Sequence, residues 1–409
     1  MNNAILKRKL HYIPEFDGVR GFFSLILISH HIPLSMIRIP YGFGWIGLQM
    51  FFVMSGYLIS MLLLIDKEKE YSFGKLIKNF YARRAFRIFP LYFSFLLFWL
   101  FLSLLFAHSK NDHLQNIFLE FKYNAKFLFT YTYNLKDIIN FNLGQNFRIS
   151  PMFAPLWSLS LEEQFYLIIP FLVYFLSEKN LKRVLITIII ISPFIRIFGV
   201  SYLNGYFPEN STVPGYEKKF IISWIIHHHT IFQLDSLCIG TLIPLVNWSR
   251  FKKYLQPVFW SLLVLYFILT FSVTYLIMQR DILSFREAMT EPYYMTEYGQ
   301  PFYIYTLVNV LSALFLIMVL ENVRRFSIFS KPFFVELGKI SYGMYILQTT
   351  VILFFFIIAN QFFSQTQIGE SMILQIVYFI LIWLLIMGAG KFSFKYFESY
   401  FLKFKKRFT

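Results

Sequence analysis

The sequence is short of charge and almost without cysteine. Of its 409 residues only 15% are charged, where soluble globular domains carry about a quarter. A water-facing surface of ordinary size cannot be built from such a chain. Cysteine occurs once, at Cys238, which excludes a disulfide framework and a cysteine-rich metal site. A single thiol in an apolar stretch reads as a small core residue. No Walker loop, dinucleotide fingerprint, GxSxG elbow or HExxH spacing is present, which disfavours nucleotide hydrolysis and α/β-hydrolase chemistry. Apolar residues instead make up 57% of the chain, and the excess excludes disorder, collagen and coiled coil.

A membrane-spanning helix needs about 20 consecutive mostly apolar residues. Ten stretches qualify: Val19–Ile37, Phe43–Ile65, Ile88–Ala107, Phe153–Leu176, Val184–Val200, Ile221–Val246, Pro257–Met278, Phe302–Leu320, Ile340–Ile358 and Met372–Gly390. Both ends and alternate loops on one side carry 26 Lys and Arg, the opposite loops 10, and two cations, Arg20 and Arg196, lie inside spans. Cytoplasmic segments accumulate Lys and Arg, so both termini are expected in the cytoplasm. The net charge of +16 is then a topological signal, and no nucleic-acid partner is needed. The first span has a basic flank, Lys7-Arg8-Lys9, but no small-residue cleavage site follows it, so it reads as a retained helix. The segment Ile117–Leu135 carries Glu120, Lys122 and Lys126 and is expected as an interfacial or re-entrant helix. The reading is an all-α, polytopic membrane protein. It has about ten transmembrane helices in a single domain, with short basic tails at about 1–13 and 391–409.

An ionisable side chain at mid-bilayer costs at least about 2.5–3.5 kcal/mol, so each one is a functional candidate. Arg20 and His31 stand eleven residues apart, within about 20° of one helix face and roughly 16 Å apart along it. A cation at the cytoplasmic rim suits an anionic cofactor, and an imidazole deeper in suits proton transfer. The plainer alternative is a histidine bonding between helices and a snorkelling arginine. The run Trp157-Ser158-Leu159-Ser160-Leu161-Glu162-Glu163-Gln164 sets two carboxylates about 14 Å into its span and about 100° apart around the helix. One of them is expected to orient an imidazole acting as general base, unless both serve a structural network. Arg83, Arg84 and Arg87 precede Phe89-Pro90. They suit a phosphorylated donor or simple cytoplasmic anchoring. Asp235 either pairs with an arginine or faces a cavity. His227-His228-His229 would fan out around a helix instead of converging on one ion, and no metal site is expected. Gly47 and Gly56 permit close helix packing.

The succession FDGVRGFFSLILISHH, GWIGLQMFFVMSGYLIS, RRAFRIFPLY, LWSLSLEEQFYL, FQLDSLCIGTL and LGKISYGMYIL resembles the acyltransferase 3 family of membrane proteins, from about residue 14 to 350 and in family order. The resemblance implies a ten- or eleven-helix enzyme that acylates carbohydrates from an acyl-coenzyme A. Acceptors in such a family include O-antigen, peptidoglycan, capsule and other surface glycans or glycolipids. It carries the family's Arg-x10-His pair onto Arg20 and His31, its RxxR donor motif onto Arg84 and Arg87, and its SLSxEEQ glutamate onto Glu162 and Glu163. Two positions depart from the family pattern, Gln49 where an acid is common and Gln348 where many members have histidine.

The resulting expectation is an O-acyltransferase, most simply an O-acetyltransferase, of the bacterial inner membrane. His31, Glu162 and Glu163 are its catalytic candidates, and Arg20, Arg83, Arg84 and Arg87 its donor-binding candidates. Trp157, Ser160, Asp235 and Tyr342 are the candidates for substrate contact. Acetyl-CoA or another acyl-CoA is the donor, with no tightly bound cofactor. A surface glycan or lipid-linked sugar, membrane lipids and glycan-assembly proteins are the other expected partners. The chain resembles members without an appended SGNH domain. The rival from another class is a transporter or flippase of a lipid-linked sugar, and a third is a regulatory relative that kept the fold without the chemistry.

Overall fold

The computed structural model describes residues 12–34, 41–109, 112–142, 150, 152–207, 218–281, 284–285, 299–321, 323–362 and 371–408. Among these residues the chain is helical and forms no strand. The helices are α1 (Pro14–His31), α2 (Tyr41–Glu68), α3 (Phe73–Phe106), α4 (Asp112–Phe129), α5 (Lys136–Asn142), α6 (Trp157–Phe175) and α7 (Glu178–Tyr206). They continue with α8 (Lys218–His228), α9 (Thr230–Leu242), α10 (Lys252–Asp281), α11 (Gln300–Glu321), α12 (Pro332–Ala359), α13 (Met372–Ser393) and α14 (Ser399–Lys405).

Eight helical segments are long and apolar enough to cross a membrane, and the all-α, multi-pass class follows from them. Two of the ten expected spans are not among the eight. The first corresponds to α1, whose 18 residues include Glu15, Asp17 and Arg20, too many charges for its length. Its expected outer end, 35–37, and its basic flank Lys7-Arg8-Lys9 lie outside the described residues. The expected span Ile221–Val246 is broken at His229, whose backbone is extended (φ −76°, ψ 134°). The His229 side chain accepts from the Ile231 amide at 3.4 Å, an N-cap that starts α9 afresh. The histidine run therefore does not fan around one helix, because its third member stands outside both. Ile117–Leu135 is not a span either. It forms amphipathic α4 and a 3₁₀ turn, Tyr133–Leu135. The C-terminal segment taken for a basic tail is also structured. A π-helical turn, Phe394–Glu398, links α13 to α14, and a 3₁₀ turn ends at Phe408.

The chain forms two compact units. The first comprises Met1–His30, Ile39–Ile77 and Phe165–Gly338, the second His31–Arg38, Lys78–Gln164 and Lys339–Thr409. In the first, apolar side chains of α1, α2, α9 and α11 share one core, with Val19, Val53, Met54, Leu316 and Val319 almost completely buried. Helices α2 and α9 approach through a reciprocal glycine contact. A Cβ on Gly56 would overlap the Leu237 carbonyl, and one on Gly240 the Val53 carbonyl. Small residues let helix backbones come this close, where dispersion contacts replace a hydrophobic drive that lipid cannot supply. Lys67 reaches the end of α6 and donates to the carbonyls of Val173 and Leu176, both at 2.7 Å.

The second unit is organised around α3. Trp99 is fully buried, meets the Phe153 ring edge-on at 5.9 Å and donates to the Thr350 hydroxyl at 3.3 Å. Tyr92 donates to the Leu128 carbonyl at 2.9 Å, tying the last turn of α4 to α3.

The two glycine environments make a direct test. Gly56→Val drives side-chain atoms into a backbone carbonyl and should cost about 1–3 kcal/mol, the usual penalty of overpacking. Gly388, where an added Cβ meets nothing within 4 Å, should accept alanine with unchanged or higher stability. Apparent melting temperatures in detergent check both, and an unshifted Gly56→Val would refute the close-contact account.

Candidate active site

Arg83, Arg84 and Arg87 sit on α3 shortly before Pro90, which lies inside the helix and removes one backbone donor. Arg83 and Arg87, one turn apart, face the same direction, and both are answered by the C-terminal segment. Arg83 is buried and its Nη1 donates to the Phe408 carbonyl at 2.7 Å. Arg87 pairs with Glu398 at 3.7 Å and lies over the Tyr342 ring, 5.6 Å from its centroid. Glu398 projects from the π-helical turn and accepts from Ser393 Oγ at 3.0 Å. The Tyr342 hydroxyl donates to the Ile88 carbonyl at 2.7 Å.

Arg84, about 100° round the helix from Arg83, carries a charge that acts on Glu163. The Glu163 carboxylate also acts on Tyr81, Tyr92, Tyr131 and Tyr342. Its Oε1 is buried and has no hydrogen-bond partner among the described residues. A carboxylate oxygen without a donor in such a setting is costly. Glu162, the next residue round the helix, acts instead on Tyr345. The Tyr345 hydroxyl bonds Ser158 at 2.6 Å and also donates to the Pro155 carbonyl. The two adjacent carboxylates thus serve different surroundings, as their angular separation requires.

Tyr131 stands in the loop after α4. Its φ of 51° is a left-handed conformation that a bulky side chain adopts at a cost of about 1–2 kcal/mol. It is held there by the Gln164 amide, which donates to the Tyr131 carbonyl and to Asn134 Oδ1, both at 2.8 Å. The ring stacks on Tyr92 at 4.5 Å. Burial and the charge of Glu163 hold its phenol above the ordinary tyrosine value, so it stays protonated. That hydroxyl is buried and has no partner among the described residues.

The other expected site residues fall as follows. His31 is the last residue of α1 and belongs to the same compact unit as Glu162 and Glu163, whereas Arg20 belongs to the other. Arg20 pairs with Asp17 at 2.9 Å, one turn back on its own helix, and its guanidinium lies over Phe16. Trp157 is buried at the start of α6. Ser160 donates back to the Leu156 carbonyl at 3.3 Å, in the 3₁₀ turn that leads into α6. Asp235 pairs through Oδ2 with Arg196 at 3.0 Å, both residues fully buried, and accepts from Thr306 at 2.8 Å, while its Oδ1 has no hydrogen-bond partner among the described residues. Arg196 further donates to the carbonyls of Pro301 and Phe232, both at 2.8 Å.

Comparison with known proteins decides the family. The chain matches an acyltransferase domain over residues 13–390. It belongs to the acyltransferase 3 family. Over 401 residues it is 28% identical to a Staphylococcus aureus (strain COL) protein provisionally named an O-acetyltransferase, covering 97% of this chain and 58% of that one. It is 32% identical over 206 residues to the peptidoglycan O-acetyltransferase OatA of Listeria monocytogenes, 50% of this chain and 30% of that protein. Against the O-acetyltransferase OatA of Staphylococcus aureus (strain NCTC 8325) it is 26% identical over 245 residues, 59% and 35% of the two chains. The chain thus spans little more than half of the length of the strain COL relative. No solved structure matches.

Two residues of the candidate site escaped the sequence reading. Glu398 lies beyond the residues matched to the acyltransferase family, in a stretch whose lysines masked it. Its only local signal is an acid amid cations. Tyr131 carries no signal, since a tyrosine in a loop announces neither its φ nor its stacking partner.

The Arg87–Glu398 pair predicts a non-additive mutant cycle. Glu398→Leu alone leaves Arg87 without its counter-charge and should lower stability by about 1–3 kcal/mol. Arg87→Met together with Glu398→Leu should recover most of that loss. Thermal melts of the four proteins decide it, and simple additivity would show that the pair is not coupled.

Proposed function

We propose that this acyltransferase family member transfers an acyl group, most simply acetyl, from an acyl-coenzyme A to a hydroxyl of a bacterial surface polysaccharide or glycolipid. It does so as a multi-pass protein of the cytoplasmic membrane. The observation that carries the reading is Glu163, a carboxylate with one buried oxygen lacking a partner among the described residues, beside Arg84 and among tyrosines. The family match and the O-acetyltransferase names of the relatives support the reaction class. The peptidoglycan acceptor printed for the Listeria relative supports a glycan acceptor.

In this reading Arg84 binds coenzyme A phosphates through its planar fork, with Arg87 set beside it by Glu398. Arg83, whose Nη1 is engaged by Phe408, steadies the helix. His31 takes the proton of the acceptor hydroxyl, with Glu162 or Glu163 orienting the imidazole. The acceptor oxygen forms its bond to the thioester carbonyl carbon, the carbon–sulfur bond breaks, and His31 returns the proton to the departing thiolate. Tyr131 and Tyr342 exclude water, which favours transfer over hydrolysis. Positioning of the two reactants supplies much of the acceleration.

Mass spectrometry of surface polysaccharide from a deletion strain tests this. Wild type should restore an ester-linked mass that His31→Ala does not. Glu163→Gln should restore less than about 1% of it, within the 10²–10⁴-fold range of general acid–base effects. Protein abundance in the membrane should be equal. Unaltered acylation in the deletion strain, with a changed amount of exported glycan, would sink the enzyme reading and promote a glycan transporter.

A further inference from the structure

The first compact unit holds a second polar cluster that the candidate active site does not use. Helix α2 presents Trp45 and Gln49 one turn apart, and α11, which packs against it, presents Tyr305 and Asn309 one turn apart. The Trp45 and Tyr305 rings meet edge-on at 4.9 Å, and the His227 ring lies 6.4 Å from each. Gln49 donates to Gln233 Oε1 at 3.0 Å, and Gln233 donates in turn to the His227 carbonyl at 3.0 Å, so Gln233 is satisfied.

The other side chains are not. Trp45 Nε1, Gln49 Oε1, the Tyr305 hydroxyl, and both Oδ1 and Nδ2 of Asn309 have no hydrogen-bond partner among the described residues. Trp45 is 3% exposed, and Gln49, Tyr305 and Asn309 are 0% exposed. Each buried and unmet group costs about 1–3 kcal/mol. Lipid offers no remedy. Leucine at 309 and phenylalanine at 305 would fold better. The cluster is also uncharged, since the nearest ions, Arg196 and Asp235, neutralise each other at 3.0 Å, with Arg196 over the Tyr305 ring. That excludes phosphate or carboxylate as its ligand. What remains is a mixed set of donors (indole N–H, amide NH₂), acceptors (two amide carbonyls) and a phenol that does either, beside aromatic edges. Vicinal hydroxyls on a neutral ring, each both donor and acceptor, match that set.

We propose that Trp45, Gln49, Tyr305 and Asn309 form a binding site for a neutral sugar ring of the acceptor chain. The choice of ligand rests on the glycan-acylation reading above; the polar set itself does not. The probe is de-esterified oligosaccharide released from the host's own surface polysaccharide, added to the full-length protein in nanodiscs and followed by saturation-transfer NMR. Ring protons should receive saturation from wild type. Asn309→Leu and Tyr305→Phe should each bind at least about tenfold more weakly, the equivalent of one hydrogen bond left unmade. Both variants should melt at or above the wild-type temperature, because a polar group without a partner has been removed. Excess coenzyme A should leave the signal in place.

Equal saturation in wild type and both variants would overturn the site. So would displacement by coenzyme A, which would assign the cluster to the amides of the pantetheine arm. Lower melting temperatures in both variants would overturn it too, by showing that the atoms serve the fold. The two readings fail separately. Oligosaccharide binding without any ester on the glycan would end the proposed function and leave the site. Ester formation without saturation transfer would end the site and leave the function.

Discussion

A guanidinium closed among apolar helices must have its charge answered inside the protein, since neither lipid nor bulk water can do so. Arg196 shows how completely this is met. Its three nitrogens are shared among the Asp235 carboxylate, the Thr306 hydroxyl and the carbonyls of Pro301 and Phe232, so one side chain on α7 ties together α9 and α11. The break at His229 belongs to the same arrangement, because restarting the helix at Thr230 sets Phe232 on the first turn of α9 and Asp235 on its second.

The same requirement sorts the arginines of α3. Arg83 and Arg87 share a face and are met by a carbonyl and a carboxylate of the C-terminal segment. Arg84, about 100° round the helix from Arg83, is the member of the trio whose charge acts on Glu163. Arg83 and Arg87 thus also dock the C-terminal segment. Glu398 in turn holds Arg87 beside the Tyr342 ring.

Where the requirement is not met, function is the natural reading. Most buried polar groups of the two units bond one another or a backbone carbonyl. Among the exceptions are two groups, Glu163 with Tyr131 in one unit and Trp45, Tyr305 and Asn309 in the other, while further unmet atoms belong to residues such as Asn124, Thr270, Gln300 and Gln348. Both are expensive arrangements in a membrane-embedded bundle, and both offer groups that a substrate can complete.

Much of this was legible in the chain itself. Hydropathy alone pointed to an all-helical membrane protein and to the eight helices that, among the described residues, are long and apolar enough to span, because an apolar run of about 20 residues favours burial in lipid as a helix. Helical geometry determined that Glu162 and Glu163 diverge and that Arg83 and Arg87 share a face. The ordered motifs determined the family. Only the tertiary structure decided which neighbour each face meets. Periodicity reports a residue's direction relative to its own helix, and carries nothing about a partner hundreds of residues away. Asp235 was thus undecided until Arg196 appeared beside it, and Glu398 went unseen among the C-terminal lysines. The sixth expected span looked continuous because an extended backbone at one histidine barely alters mean hydropathy.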